Sequence, residues 1–293
     1  MKKTIILSSL VALLCSCNPE TWNLDVTGMF SGSSPCIDQR IDDSFAYNDT
    51  HGFPVINAAA EEYSTYVCTD THVDFTRKGW EQFIHDYRAD LTCPLALHLG
   101  DLINAQRHWD YMRRPLDSIP ANPLKRDTLL AVAGNHDLYF KQWTEYLRLW
   151  KRSTYYAVVR TPLGKRDLYI FLDTGEGILG QRQTEWLKQV LNDADKEGYR
   201  HIVVCTHTHL FKRDTSQGHT SNMPLEETYA LIHLLKQHNV ELFLCGHDHS
   251  REITNLGSMT AIIIDALNDH EPDPAYLIAT MNDKPITYRF VNL

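Results

Sequence analysis

Short apolar runs, each ending in a glycine or a polar cluster, recur along this chain and set its predicted organisation. Tyr63–Thr69, Leu95–Leu99, Leu129–Ala133, His201–Cys205 and Leu242–Cys245 have the length and composition of buried strands. Between them the apolar positions switch to helical spacing. Trp80, Phe83, Ile84, Tyr87 and Leu91 form one such series, and Trp143, Tyr146, Leu147 and Trp150 another. Residues 181–197 carry Trp186, Leu187, Val190 and Leu191 on one face, and a further helix is expected over 225–238. Tyr155–Val159 and Leu168–Leu172 read as a strand pair turning through Pro162-Leu163-Gly164. Met259–Ile264, Ala275–Met281 and Ile286–Val291 read as short strands. Residues 102–127 read as a loop or short helices, and 18 to about 60 as polar and irregular. Strands alternating with helices imply an α/β fold, and the strand pairs imply a second, more antiparallel sheet.

Every strand that alternates with a helix leads into polar residues: Asp70-Thr71-His72, Gly100-Asp101, Gly134-Asn135-His136-Asp137, Thr206-His207-Thr208-His209 and Gly246-His247-Asp248-His249. Such residues gather at the carboxyl ends of the strands, where open α/β sheets build their sites. His247 and His249 would point to the same side of an extended segment, with Gly246 allowing a sharp turn before them. A His-x-His pair there is a natural pair of metal ligands. Singly, each cluster has an ordinary explanation as a turn or a surface histidine; together the five do not. Cys68, Cys205 and Cys245 each stand two residues before a proposed ligand, which suggests small buried side chains in one packing layer. His98 faces away from Asp101 and reads as a packed core histidine, and Asp173 as a structural turn residue. Arg107, His108, Lys141, Arg213 and His219 read as solvated loop residues. His209 shares a side with His207, which comes first off the strand and is preferred as the ligand.

In their order and spacing these motifs resemble the calcineurin-like metallophosphoesterase superfamily over about residues 63–250. The resemblance implies a sandwich of two mixed β-sheets flanked by helices. It also implies two divalent or trivalent transition-metal ions, with nitrogen and oxygen ligands that suit Mn, Zn or Fe. Asp70, His72, Asp101 and His249 would hold one, and Asp101, Asn135, His207 and His247 the other. His136 would contact the phosphate or protonate the leaving group, with Asp137 orienting it. The implied reaction is hydrolysis of a small phosphate ester by a metal-bridging hydroxide, with no covalent nucleophile. Purple acid phosphatases place a tyrosine where Asn104 stands, and serine/threonine phosphatases an Asp-Arg-Gly signature and a Gly-Asn-His-Glu where Asp137 stands. The terminal Gly-His-x-His looks most like the cyclic-nucleotide and glycerophosphodiester branch, so a phosphodiester is favoured. A phosphomonoesterase of the same fold, or a surface lipoprotein that binds metal without turnover, is the alternative. An amidohydrolase would place its His-x-His on the first strand rather than a late one.

Composition adds a location. Met1-Lys2-Lys3 and the apolar run Thr4–Leu14 have the form of a secretory signal, too short for a comfortable transmembrane helix. Leu14-Cys15-Ser16-Cys17 resembles a bacterial lipobox with Cys17 as the lipidated residue. The expected organisation is therefore a signal peptide over 1–16, a tether and N-terminal segment over 17–60, and one phosphoesterase domain over 61–293. The protein would be exported and held on a membrane of the cell envelope by its lipid. The net charge is −9 and becomes −11 without Lys2 and Lys3. With no basic cluster after the signal, polymeric nucleic acid is not an expected partner. Five cysteines follow Cys17, an odd number that argues against a disulfide framework. Oligomeric state is not legible.

Overall fold

Side chains alternate between the two faces of a strand, and here both faces of both sheets are covered by protein. On Leu242–Cys245, Leu242 and Leu244 enter the central core while Phe243 and Cys245 pack outward. On His201–Cys205, Val203 and Cys205 face inward and Ile202 and Val204 outward. Coverage on both sides is why these strands read as continuous apolar runs rather than alternating ones.

The computed structural model describes residues 35–124, 128–139, 142–211, 214–215, 218–219 and 223–293. In chain order the elements are α1 (Ile37–His51), β1 (Val55–Asn57), β2 (Tyr63–Cys68), α2 (Lys78–Ala89), β3 (Leu95–His98), α3 (Trp109–Ser118), β4 (Leu129–Ala131), α4 (Trp143–Trp150), β5 (Tyr155–Arg160) and β6 (Arg166–Phe171). There follow α5 (Gln181–Glu197), β7 (His201–Cys205), β8 (Asp214–Thr215), β9 (Gly218–His219), α6 (Leu225–Gln237), β10 (Leu242–Cys245), β11 (Glu252–Asn255), β12 (Thr260–Ile263), β13 (Ala275–Met281) and β14 (Thr287–Asn292).

A seven-stranded sheet runs β1-β5-β6-β7-β10-β12-β11 and a five-stranded sheet β14-β13-β2-β3-β4. Both are mixed: β6, β7, β10 and β12 are mutually parallel neighbours, as are β2, β3 and β4, while β5–β6, β11–β12 and β13's two pairings are antiparallel. Val67, Leu97, Phe171, Leu244 and Leu277 belong to the core between the sheets. Trp80, Phe83, Trp109 and Tyr146 cover the outer face of the smaller sheet, and Leu187, Leu191, Leu231 and Leu235 that of the larger. The layers are helix, sheet, sheet, helix, as expected.

Three local expectations are corrected. Residues 37–51 are helical, not irregular, because the buried stripe of α1 is Ile37, Arg40, Ile41, Ser44 and Asn48. Its spacing is helical but more than half of it is polar, so hydropathy does not show it. α2 stops at Ala89, and Leu91 lies beyond it and exposed; the Asp90 carboxylate accepts the Thr92 amide and hydroxyl, a local turn that competes with the helix. The buried cysteines do not share a layer: Cys205 faces the central core, Cys68 the α2 side and Cys245 the α5–α6 side. A shared offset sets distance along a strand, not which face of which sheet is presented. β11 escaped notice because it is an edge strand with alternate residues exposed.

α1 is fastened by polar contacts. Arg40 donates from Nε and Nη2 to both oxygens of Asp173 at 3.0 and 2.9 Å, with both side chains fully buried. Asp173 is thus an ion-pair partner rather than a turn residue. Ser44 Oγ accepts the amides of Ser153 and Thr154, and Asn48 Nδ2 donates to the Thr154 carbonyl. Replacing Arg40 with Ala leaves a buried carboxylate without its counter-charge, and we expect a loss of about 3–5 kcal/mol. Urea denaturation of Arg40→Ala and the double variant Arg40→Leu/Asp173→Leu checks this; a double variant no more stable than the single one would count against it.

Candidate metal centre

Five strand ends meet at one edge of the sandwich. β2, β3 and β4 arrive side by side from the smaller sheet, β7 and β10 side by side from the larger. The polar residues that follow them therefore face one another across the gap between the sheets. Within each sheet, backbone bonds tie neighbouring loops together: Asp70 N donates to the Gly100 carbonyl, His72 N to that of Asp101, and Gly246 N to that of His207.

Glycine is required at this approach. A Cβ on Gly246 would lie 2.0 Å from Thr69 Oγ1 and 2.2 Å from Asp70 Oδ2, and one on Gly134 would lie 2.3 Å from the Asp101 amide. Gly246 thus serves close contact between the sheets rather than the sharp turn expected of it. The turning is done by the ligand residues themselves: Asp70, His72, Asp101, His247 and His249 all have φ between 39° and 72°. Non-glycine residues rarely adopt this region, and such strain clusters where function requires it. The extended His-x-His segment is accordingly corrected. In this conformation His247 turns toward His207, and His249 toward His72.

Two clusters result. In the first, His72 Nε2 lies 3.1 Å from His249 Nε2, and Asp70 Oδ1 lies 3.5 Å from His249 Nε2. In the second, His207 Nε2 lies 3.0 Å from Asn135 Oδ1 and 3.2 Å from His247 Nδ1. Asp101 stands between, with Oδ2 3.6 Å from His72 Nε2 and Oδ1 3.5 Å from His207 Nε2. His209 is buried but stands aside, its ring 5.9 Å from that of His247.

The residues fit metal ions. Donor atoms about 2.1 Å from one ion at tetrahedral or right angles stand roughly 3.0–3.4 Å apart, the spacing of these nitrogens. Asp70 Oδ1 is fully buried and accepts no hydrogen bond, an orphan that a cation would satisfy. Asp70-His72-His249 and Asp101-His207-His247 each bring their ligand atoms within 4.8 Å of one another. His72, Asp101 and His136 do so as well.

Electrostatics point the same way. Burial, together with the charge of Asp70, pushes the Asp101 carboxyl well above the carboxylate range. Burial acts upward on Asp70 too, but His249, His207 and His72 outweigh it and hold Asp70 low. Burial lowers His72 to about 3, and lowers His247 and His136 to about 4 with help from His207. Of the histidines in the two clusters, only His249 rises, to about 10, because Asp70 and Glu271 outweigh its burial.

The tautomers are set from behind. His207 Nδ1 donates to the Leu99 carbonyl at 2.9 Å, which leaves Nε2 as a lone pair on the site. Glu271, absent from the sequence reading, lies 2.8 Å from His249 Nδ1. No pattern marks it, because it sits in the loop after β12, far along the chain. His98 is buried with Nε2 2.9 Å from Thr71 Oγ1, a core histidine beneath the first ligand loop.

The expected role of Asp137 is corrected. Its carboxylate accepts the backbone amides of Asp101, Leu102 and Gly134 at 2.9, 3.0 and 2.9 Å, which ties the β3 loop to the β4 loop. It is a buried clamp on the backbone, occupied by these amides rather than by the His136 ring. His136 donates its amide to Asp101 Oδ1 at 2.7 Å, and its ring stands edge-on to that of His72, centroids 4.6 Å apart. Of the loop residues read as solvated, His108 is buried. Lys141 and Arg213 lie outside the described residues.

Residues 63–251 match the calcineurin-like phosphoesterase family. No match to this chain was found among curated protein sequences. Among solved structures, a dimetal phosphatase from Danio rerio is similar with a TM-score of 0.59 at 14% identity, covering 78% of this chain and 95% of its own. GAP50 of Plasmodium, described as the anchor in the inner membrane complex, superposes with a TM-score of 0.58 at 16% identity over 79% of this chain and 84% of that one. Purple acid phosphatase PPD1 of yellow lupin gives 0.59 at 14% identity over 80% of this chain, which spans about half (52%) of that longer protein. At such identities the likenesses concern the fold; the family rests on the sequence match. With that match spanning all five strand ends, the chain belongs to the calcineurin-like phosphoesterase family and is a metal-dependent phosphoester hydrolase.

Proposed function

We propose that this protein hydrolyses phosphodiesters with two transition-metal ions, Mn, Zn or Fe, and works from a membrane of the cell envelope. The observation that carries the catalytic part is that both oxygens of one carboxylate, Asp101, face separate nitrogen-rich clusters. Asp70, His72, Asp101 and His249 would hold one ion, and Asp101, Asn135, His207 and His247 the other. When bound, two such ions supply Lewis acidity toward phosphoryl oxygens and a nucleophilic water. Only two of these ligands are carboxylates, so two divalent cations leave a net positive site for an anionic ester. Asn135 contributes a neutral oxygen, and its Nδ2 donates to Tyr139 Oη at 3.0 Å, which keeps Oδ1 on the site.

His136 is the candidate substrate contact. With a pKa near 4 the ring is neutral at pH 7, so it suits donation of an N–H to a phosphoryl oxygen better than protonation of a leaving group. Diester preference is supported by the Gly-His-x-His terminus and by Asn104 where purple acid phosphatases carry tyrosine. A phosphomonoesterase is the second reading.

Location rests on Cys17 and the signal before it, which lie outside the described residues. Among the described residues no helix is long and apolar enough to cross a membrane. Two signals are usually needed for stable anchoring by single acyl chains, and a diacylglyceryl cysteine supplies them.

Protein stripped of metal and reloaded with Mn, Zn or Fe should hydrolyse bis-p-nitrophenyl phosphate faster than p-nitrophenyl phosphate. Asp101→Asn and His249→Ala should abolish both activities; a faster monoester would move the assignment to the second reading, and turnover without metal would sink the mechanism. His136→Ala should bind metal normally and lose about 10²–10³-fold in kcat, the usual effect of removing one charge-stabilising donor. Loss of metal instead would make it a ligand. Cys17→Ser should move the expressed protein from the membrane to the soluble fraction, and persistence in the membrane would refute the lipid anchor.

A further inference from the structure

Asp269, His270 and Glu271 lie past the residues that match the family, yet each ties the loop after β12 to the neighbourhood of the metal centre. The Asp269 carboxylate accepts the Lys78 and Gly79 amides at 2.7 and 2.8 Å, filling donors that the first turn of α2 leaves open. His270 Nε2 lies 2.9 Å from Asp74 Oδ2, two residues after His72. Glu271 Oε1 lies 2.8 Å from Nδ1 of His249. Backbone bonds continue the brace: Leu267 N donates to the Thr69 carbonyl at 3.0 Å and Ala266 N to that of His249 at 3.4 Å.

The two clusters are therefore backed differently. His207 Nδ1 donates to a neutral carbonyl, that of Leu99, whereas His249 Nδ1 meets a carboxylate held by a loop that is itself pinned at the two preceding residues, Asp269 and His270. An acceptor facing Nδ1 accepts a hydrogen bond from its N–H, which keeps the proton there and leaves the Nε2 lone pair toward the site; a carboxylate also makes the ring a stronger electron-pair donor. His249 has a further need of such support, since it sits in the left-handed region at φ 57° at the end of its motif.

We infer that Glu271 is a positioning residue for His249, setting the affinity of the ion held with Asp70 and His72 and leaving the ion at His207 and His247 unaffected. This rests on the dinuclear reading above. Glu271 is 30% exposed at its side chain, so replacing it opens no cavity in the core.

The test is a titration of the metal-stripped full chain with Mn or Zn against a competing chelator, alongside melting of the same samples. Wild type should bind two ions. Glu271→Ala should weaken one of them about 10–100-fold, as loss of such a partner does at other metal sites, and spare the second. Glu271→Gln should recover most of that loss, because its amide oxygen still accepts the Nδ1 proton. The metal-free melting temperature should fall only slightly, because the Glu271–His249 pair is partly exposed. His249→Ala should lose the same ion that Glu271→Ala weakens. Two wild-type affinities in Glu271→Ala, equal weakening of both ions, or no recovery in Glu271→Gln would each overturn the inference. A wild-type chain that binds fewer than two ions would instead overturn the dinuclear reading, and this inference with it.

Discussion

A single buried carboxylate, Asp101, has to serve two groups of nitrogen donors at once, and much of the structure exists to keep it there. It is 2% exposed, it has Asp70 for a neighbour, and it cannot hold its charge unaided. Burying two carboxylates close together in a protein interior is unfavourable unless cations compensate them. The imidazoles around them are mostly neutral and turn lone pairs inward. The site is thus a set of groups that disfavour one another until positive charge arrives between them, which is the arrangement a dinuclear hydrolase needs.

Holding that arrangement requires backbone that most sequences would avoid. Five of the ligand residues occupy the left-handed region, each at a cost of about 1–3 kcal/mol. The surrounding hydrogen bonds over-determine them. Asp137 gathers three amides from two loops, Thr174 Oγ1 accepts the amides of His207 and Thr208, and the ends of β7 and β10 exchange bonds from Gly246 to His207 and from Thr206 to Leu244. Gly134 and Gly246 permit the approach because any Cβ there would overlap the opposing loop. The ligand loops are therefore set by the protein's own contacts, and metal completes a frame already in place.

Support extends to segments remote in sequence. α1 is fixed through Arg40 to Asp173, next to Thr174, which in turn holds the His207 loop. The loop after β12 reaches His249 through Glu271. Both are polar attachments, so their effect on the site depends on individual partners rather than on apolar area.

Much of this was legible in the chain itself. Apolar runs ending in Asp, Asn and His marked the ligand strands, because a buried strand must be apolar and a metal site must not be. Helix α5 coincides with the expected 181–197 for the same reason of one-sided burial. The sequence could not show how those residues turn: His247 and His249 look alike in an extended chain, and only the left-handed backbone sends them to different clusters. Nor could it show that Asp137 grips three amides, that α1 docks by a polar stripe, or that Glu271 stands behind His249. Those depend on which polar groups the packed elements bring within reach of one another. A periodic pattern records which residues are buried; partner choice among polar groups distant in sequence is decided only when the sheets have packed.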